Sequence, residues 1–388
     1  MKPDAAIVGV GASAFGRFLP DSQLSLAATA LKAALDDCGL RRDDIDGLSI
    51  HMGSPLGVDY DRVASAFGLN IRYVNQSWLH GRFVTNALQH AALAVSAGLA
   101  DVVACVTAIS FTREREILGG PGDVEGNREE GGTHGESPPY GLTAPAGGAA
   151  LAMQRYLAET GADRDKLAAV PMSIRDHAVL NPDSIMRQKL TLQAYQDART
   201  IVDPLRLFDC CLVNDGAVVA LITRMNRARD LKQKPVRIAG MQGIRTGREE
   251  FIFAPPGLGI GQQPVSPVRS RPVDVEVYGS ACIDRSAVRG VYTYDAFSPL
   301  VLFMLERFGF CGAGEAIDFV QDGRIGPGGE LPVNTSGGLL SEAHIGGWNH
   351  IREMVRQLRG TAGPRQIPGA DVLQWATVWG DSVIMTAA

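Results

Sequence analysis

The sequence lacks several features that would assign it at once to a common class of protein. No apolar run approaches the roughly 18 residues of a membrane-spanning helix, so we expect no membrane span. Lys and Arg total 37 against 42 Asp and Glu, with no basic stripe, so nucleic acid is not an expected partner. The start, MKPDAAIVGVG, lacks the basic and long apolar regions of a signal peptide, which predicts a cytoplasmic protein.

Cysteine is also sparse. The six cysteines are Cys38, Cys105, Cys210, Cys211, Cys282 and Cys311. None forms a C-x-x-C pair, and no His/Cys pair has metal-ligand spacing on one helix face, so we predict reduced thiols and no metal site.

The residues that are present predict an α/β protein. The chain has 388 residues, of which 45% are hydrophobic, enough for two domains or one duplicated domain. An apolar strand at 5–11 is followed by helical spacing that begins at Ser25, a predicted N-cap, and stops at Gly39. Strands and helices then alternate to position 110, which is typical of parallel strand pairing.

A polar segment rich in Gly and Pro, 110–148, interrupts this alternation and predicts a lid, a binding loop or a dimer arm. After it the pattern weakly repeats: 236–243 matches the opening strand, and 287–297 takes the place of 44–52. We therefore predict two similar halves, 1–225 and 226–388, with an insertion at about 110–210 in the first.

Longer motifs resemble a known family. They are AIVGVGASAFGR, ADVVACV, DPLRLFDCCLVNDGAVVALI, YDAF and LPVNTSGGLLSEAHIGGWNHIREMVRQLRGTA. Over essentially the whole chain they resemble the thiolase superfamily, and most closely its sterol-carrier-protein-x or lipid-transfer-type branch. The resemblance implies a thiolase fold, with two duplicated βαβαβαββ halves in a five-layered α-β-α-β-α arrangement, usually as a dimer. It also implies acyl-CoA thioesters as substrates, with coenzyme A as part of the substrate and no permanently bound cofactor.

The stretch QSWLHGRFVTNALQHAA, at 76–92, is where this family keeps its nucleophile. A thiolase uses a cysteine at the start of a central helix, whose dipole favours the thiolate. The resemblance places that position near Gly81, and the second catalytic cysteine at Val378 or Trp379. Neither is a cysteine, so we do not expect a Claisen condensation through an acyl-cysteine. Ser77 and Thr85 are conceivable replacement nucleophiles, although neither falls on the expected position.

Two catalytic candidates remain. The resemblance places His344 on the catalytic histidine and Tyr294 at the oxyanion-hole asparagine of a thiolase. An imidazole with an ordinary pKa near ~6.5 suits general acid–base work, and a phenol can donate to a carbonyl. The alternatives are a structural histidine that bridges two loops and a packed aromatic at a strand end.

The resemblance also implies substrate-binding positions, which are His80, Gly81, Arg82, Asn334, Gly337, Gly338 and Gly380. Arg82 has the alternative of a structural ion pair, and Asn334 that of shaping a turn. Asp295 is expected to cap the helix that follows it, and Asp215 to fix a turn. His134 and His177 are expected on the surface or in loops.

Members of this branch that lost the cysteine act as retro-aldolases on CoA thioesters of steroid or other side chains. They use a tyrosine in the YD-x-F segment, and their second tyrosine falls where this chain has His344. They work with a small OB-fold, zinc-ribbon partner. The resemblance therefore favours an acyl-CoA carbon–carbon lyase with Tyr294 and His344 as its acid–base pair. A non-catalytic acyl-CoA- or lipid-binding subunit, and an acetyl-CoA acetyltransferase-like acyltransferase with another nucleophile, stay open as alternatives.

Overall fold

The computed structural model describes residues 4–52, 59–77, 81–112, 145–245 and 273–388, and for Arg82 the backbone alone. The strands are β1 (Ala6–Ala12), β2 (Gly47–Met52), β3 (Tyr73–Gln76), β4 (Val102–Ser110), β5 (Thr200–Val202), β6 (Leu205–Arg206), β7 (Asp215–Thr223), β8 (Val236–Gln242), β9 (Gly290–Tyr292), β10 (Val372–Ala376) and β11 (Ser382–Ala387). The helices are α1 (Gln23–Cys38), α2 (Tyr60–Phe67), α3 (Val84–Ser96), α4 (Pro145–Thr160), α5 (Ala169–Val179), α6 (Leu192–Asp197), α7 (Met225–Ala228), α8 (Glu276–Ala281), α9 (Ser298–Arg307), α10 (Ala316–Phe319) and α11 (Trp348–Leu358).

Nine strands form one mixed sheet in the order β3-β2-β4-β7-β1-β8-β11-β10-β9. In its first half, β2 runs parallel to β3 and β4, and β7 runs antiparallel to both β4 and β1. In its second half, β11 runs antiparallel to β8 and β10, and β10 runs parallel to β9. Both halves thus place their last strand between their first strand and their parallel strands. The boundary predicted at 225/226 falls within α7, between the two halves of the sheet, and stays a prediction.

The helices cover the sheet in layers. Helix α1 packs on β1, β7 and β4, whereas α3 contacts β4, β7 and β8 and α11 contacts β7, β1, β10 and β11. Helix α8 packs on β8 and β11. Successive residues of β4 alternate between the two cores, since Ala104 packs with the α1 side and Cys105 with the α3 side. Strands buried on both faces explain the nearly continuous apolar sequence of β4 and β7.

The predicted N-cap of α1 was three residues off. The cap is Ser22, whose hydroxyl accepts a hydrogen bond from the Ser25 backbone N–H, and the Ser25 hydroxyl instead donates to Asp21. The predicted stop at Gly39 is confirmed, because Gly39 has φ 78° and its N–H caps the carbonyl of Leu35. Two serines three positions apart both qualify as N-caps by type, whereas a left-handed C-cap favours glycine.

None of the helices in the described ranges has both the length and the apolarity to cross a bilayer. His80, His134 and most of the polar segment 110–148 lie outside the described residues, as does the side chain of Arg82.

Candidate active site

Gly81 opens a short 3₁₀ turn, Gly81–Phe83, that leads into the buried central helix α3. It is buried, and as part of a 3₁₀ turn it has a helical backbone with negative φ. A Cβ atom built on it would lie 2.7 Å from the Cβ of Tyr294 and closer still to two atoms of the Tyr294 ring. Real Cβ atoms do not approach other heavy atoms so closely, so position 81 has no room for a side chain beside Tyr294.

The structure brings the two catalytic candidates together although 50 residues separate them. The Tyr294 hydroxyl and the His344 Nε2 share a hydrogen bond of 3.2 Å, and their rings lie 5.8 Å apart. Tyr294 follows β9 and is 6% exposed, while His344 follows a π-type turn, Gly338–Glu342, and is half-buried. Such π turns occur frequently at functional sites.

Three further residues hold His344, and all three escaped the sequence analysis. The His344 backbone N–H donates to Asn214 Oδ1 at 2.7 Å, and the Cys211 Sγ lies 3.9 Å from His344 Nδ1. Phe111 packs against the imidazole at 5.6 Å between ring centroids. Cys211 and Asn214 belong to DPLRLFDCCLVNDGAVVALI, so the motif was noticed but not its contact with a residue more than a hundred positions away.

Cys211 does not replace the missing nucleophile. Burial raises the pKa of its thiol well above the ordinary value, with a further increase from the neighbouring Cys210. The thiol therefore stays protonated at neutral pH, whereas a nucleophilic cysteine needs a lowered pKa. Its contribution to the site is a weak polar contact with the imidazole.

Asp295 does not cap the helix that follows it, which corrects the prediction. Helix α9 begins at Ser298 with Phe297 at the cap position. The Asp295 carboxylate bonds to other parts of the chain. It accepts hydrogen bonds from the Leu339 backbone N–H at 3.0 Å and from His350 Nε2 at 3.0 Å. Both side chains are fully buried. Asp295 thus joins the segment of Tyr294 to the turn that precedes His344.

The turn at 334–338 needs its unusual residues for conformation. Asn334 has φ 53°, Gly337 φ 105° and Gly338 φ 61°, all in the left-handed region. The Asn334 side chain accepts from the Thr293 N–H at 2.9 Å and donates to the Thr293 carbonyl at 3.1 Å. A Cβ on Gly338 would lie 2.9 Å from the carboxyl carbon of Asp295. The structure therefore places these three residues in the scaffold that supports His344.

Gly380 lies in the turn between β10 and β11, with φ 80°. Its carbonyl accepts from Gln242 Nε2 at 2.6 Å, and a Cβ there would lie 2.7 Å from Arg245 and 2.9 Å from Arg307. The preceding Trp379 reaches the site, since its ring lies 6.0 Å from that of Tyr294.

Thr85, one conceivable nucleophile, is committed to another partner. It is the second residue of α3, is 1% exposed, and donates to Asp381 Oδ2 at 2.6 Å. Thr377 also donates to the Asp381 carboxylate. Burial raises the pKa of Asp381 to about 6, and the hydroxyl donors oppose that rise.

Ser77 meets a histidine that cannot activate it. The Ser77 hydroxyl lies 2.6 Å from His51 Nε2, and the Trp348 indole N–H donates to His51 Nδ1 at 3.3 Å. An indole nitrogen is only a donor, so Nδ1 must be the unprotonated nitrogen and Nε2 must carry the hydrogen. His51 therefore donates to Ser77, the opposite of what a general base does. Burial lowers the pKa of His51 to about 3, which keeps the ring neutral.

His177 is not a surface residue, contrary to the prediction. It lies in α5, is 2% exposed, and its Nε2 donates to the Ile325 carbonyl at 3.0 Å. Burial lowers its pKa to about 4.

Asp215 has the predicted structural role: its carboxylate accepts hydrogen bonds from the backbone N–H groups of Leu19 and Thr112. Among the described residues, no group of three or more His, Cys, Asp or Glu side chains could hold a metal ion.

Comparison with known proteins agrees with this architecture. The sequence model of the thiolase C-terminal domain-like family matches residues 274–387. The chain is 38% identical over 369 residues to 17-hydroxy-3-oxo-4-pregnene-20-carboxyl-CoA lyase of Mycobacterium tuberculosis, covering 93% of each chain. It is 34% identical over 380 residues to the steroid side-chain-cleaving aldolase of Thermomonospora curvata, covering 92% of this chain and 91% of that protein.

A solved structure, the Ltp2-ChsH2(DUF35) aldolase, superposes with a TM-score of 0.85 at 32% identity, covering 99% of this chain and 97% of that one. The chain belongs to the thiolase superfamily, on the sterol-carrier-protein-x or lipid-transfer-type branch, with the nucleophilic cysteine missing. The predicted thiolase fold is confirmed.

Proposed function

We propose that this protein is a carbon–carbon lyase that cleaves β-hydroxyacyl-CoA thioesters by a retro-aldol reaction. The observation that carries the proposal is the Tyr294–His344 hydrogen bond beside a position that has no room for a nucleophile. Two groups suited to acid–base chemistry are in contact there, while position 81 leaves no room for the side chain that a covalent acyl-enzyme would need. The relatives named as a carboxyl-CoA lyase and a steroid side-chain-cleaving aldolase support the same reaction class.

In the proposed reaction, the Tyr294–His344 pair removes the proton of the β-hydroxyl group. The Cα–Cβ bond then breaks, the β carbon becomes a ketone or aldehyde carbonyl, and the electron pair moves into the thioester enolate. Protonation of that enolate at Cα by the same pair releases the shorter acyl-CoA. No redox partner or bound cofactor is needed, and coenzyme A enters only as part of the substrate.

The enolate needs a positive environment, and two helix termini can supply it. A Cβ on Gly347, which caps α11, would lie 3.3 Å from Val84, the first residue of α3. The N-termini of the two central helices therefore converge close to Gly81. Helix N-termini carry partial positive charge and stabilise anions.

Two features of the site argue against the acyltransferase alternative. Ser77 accepts a hydrogen bond from His51 instead of giving up its proton, and Thr85 is buried and donates to Asp381.

For the acyl group, we propose a steroid side chain or a similarly bulky group, because both relatives carry steroid names.

A product assay tests the function. Purified protein is incubated with β-hydroxyacyl-CoA and, separately, with β-ketoacyl-CoA plus free CoA, and products are identified by mass spectrometry. We expect a carbonyl fragment and a shortened acyl-CoA from the first set only. Thiolytic cleavage of the second set would overturn the proposal in favour of an acyltransferase. Binding without product from either set would favour a non-catalytic acyl-CoA-binding subunit.

We also propose a homodimer and a small OB-fold, zinc-ribbon partner. Among the described strands, β3 is an edge strand that pairs only with β2, and Val74 on it is 41% exposed. Leu93 and Leu99 are 50% and 56% exposed. The second partner is supported by the solved aldolase, whose name includes a DUF35 component. Light scattering of the purified chain, alone and co-expressed with a DUF35 protein, gives both stoichiometries.

A further inference from the structure

Gly81 differs from two tightly packed glycines of β1, Gly9 and Gly11, in what surrounds it. A Cβ on Gly9 or Gly11 would meet main-chain atoms of α1, including the carbonyl oxygens of Ala34 and Ala30. At Gly81, the three nearest atoms all belong to the side chain of Tyr294. Gly81 lies in a 3₁₀ turn, whose residues have negative φ, so the backbone there does not itself require glycine. The nearest obstacle to a side chain at position 81 is therefore the Tyr294 side chain.

That ring has little freedom to move aside. Tyr294 packs against the fully buried Trp379 at 6.0 Å and against His344 at 5.8 Å, and its hydroxyl is hydrogen-bonded to His344. A side chain at position 81 would have to push the ring against these contacts and away from the imidazole. In a close-packed interior such displacement is unfavourable.

We infer that positions 81 and 294 form one steric unit that selects the reaction class, with Gly81 as the positioning residue that keeps Tyr294 on His344. A side chain at 81, including any nucleophile, and the tyrosine at 294 exclude each other. The absence of a cysteine side chain at position 81 is therefore what allows Tyr294 to reach His344. The inference deepens the proposed lyase function and rests on it for the reaction class, although the steric coupling can be measured without any substrate.

A four-protein stability cycle tests the coupling. The proteins are the wild type, Gly81→Ala, Tyr294→Ala and the double variant, and the measurement is the denaturant midpoint of unfolding. We expect Gly81→Ala to lower the midpoint in the wild type and to have at most half that effect in the Tyr294→Ala background. Equal losses in both backgrounds would overturn the inference. If Gly81→Ala does not fold alone, folding of the double variant supports it, whereas failure of the double variant beside a folded Tyr294→Ala overturns it.

Gly243→Ala is the matched control, because Gly243 is exposed and a Cβ there would have no atom within 4 Å. It should leave both the midpoint and turnover unchanged. For turnover, Gly81→Ala should reduce kcat by about 10²-fold, the lower end of the contribution of a general acid–base group. The same change added to Tyr294→Phe should cost little more, because the hydroxyl is already gone. A wild type without lyase activity would refute the proposed function, while the stability cycle would still decide the coupling.

Discussion

The turns that lead into the two central helices have diverged within one architecture. The turn before α3 lacks the reactive side chain of a thiolase. The space beside Gly81 is filled by the side chain of Tyr294, which belongs to the second half of the chain. The turn before α11 keeps His344 and is secured by Asn214 and Asp295. Under the proposed function, equivalent positions at helix N-termini thus have different chemistry. The duplicated fold would have given up covalent catalysis in one half and retained proton transfer in the other.

The largest expected effect lies in the turn before α11. His344→Ala should reduce kcat on a β-hydroxyacyl-CoA by about 10³-fold, since general acid–base groups contribute ~10²–10⁴. Steady-state kinetics with the purified variant gives the value. A wild-type kcat in this variant would mean that the turn is only a scaffold and would remove the proposed difference between the two turns.

Tyr294→Phe should reduce kcat by ~10²–10³ while affinity for acyl-CoA stays close to that of the wild type. The ring still fills the space next to Gly81, so only the hydroxyl bonded to His344 is removed. Kinetics and isothermal titration with a non-cleavable acyl-CoA separate the two quantities. Unchanged turnover would reject Tyr294 as part of the acid–base pair.

The support of the second turn can be tested through stability. Asp295→Ala removes the acceptor for two buried donors, the Leu339 N–H and His350 Nε2. Each unsatisfied donor costs about 1–3 kcal/mol, so the free energy of unfolding should fall by about 2–6 kcal/mol. Asp318→Ala is the control, because Asp318 forms an exposed ion pair with Lys166, and its loss should cost under ~1 kcal/mol. Similar costs for both variants would show that Asp295 does not secure the turn.

The sequence predicted the local features of this site better than the contacts between distant segments. The alternation of strands and helices to position 110, the helix stop at Gly39 and the His344 and Tyr294 candidates followed from patterns along the chain and from the family resemblance. The contacts of Asp295, Asn214 and Cys211 did not, because each joins segments that only tertiary packing brings together. Asp295 was misread because aspartate is a preferred N-cap residue, but helix α9 begins only at Ser298, which leaves Phe297 at the cap and Asp295 buried beside His350. His177 shows the same limit, since hydrogen bonding to Ile325 makes a buried histidine acceptable.

The pH dependence of stability can test Asp381, which accepts a hydrogen bond from Thr85 in helix α3. Its pKa is raised by burial to about 6 in the folded state, above the ~3.9 of an unfolded aspartate. The folded state therefore binds its proton more tightly, and the stability from that proton is present below about pH 4 and lost as pH rises through 6. Asp381→Asn should flatten this part of the curve of unfolding free energy against pH. A curve parallel to that of the wild type would show that Asp381 ionises normally.

The smallest expected effect is the most informative about the lost nucleophile. Ser77→Ala should leave turnover unchanged, because Trp348 fixes the His51 tautomer that donates to Ser77 and cannot remove its proton. The variant leaves one buried imidazole N–H without its serine acceptor, so a small loss of stability is expected while kcat stays constant. Trp348→Phe would free Nδ1 of His51, and still no serine-dependent activity should appear if catalysis depends on Tyr294 and His344. A large fall in kcat for Ser77→Ala, with the fold intact, would contradict this expectation. It would support Ser77 as a nucleophile and a covalent mechanism on the α3 side of the site.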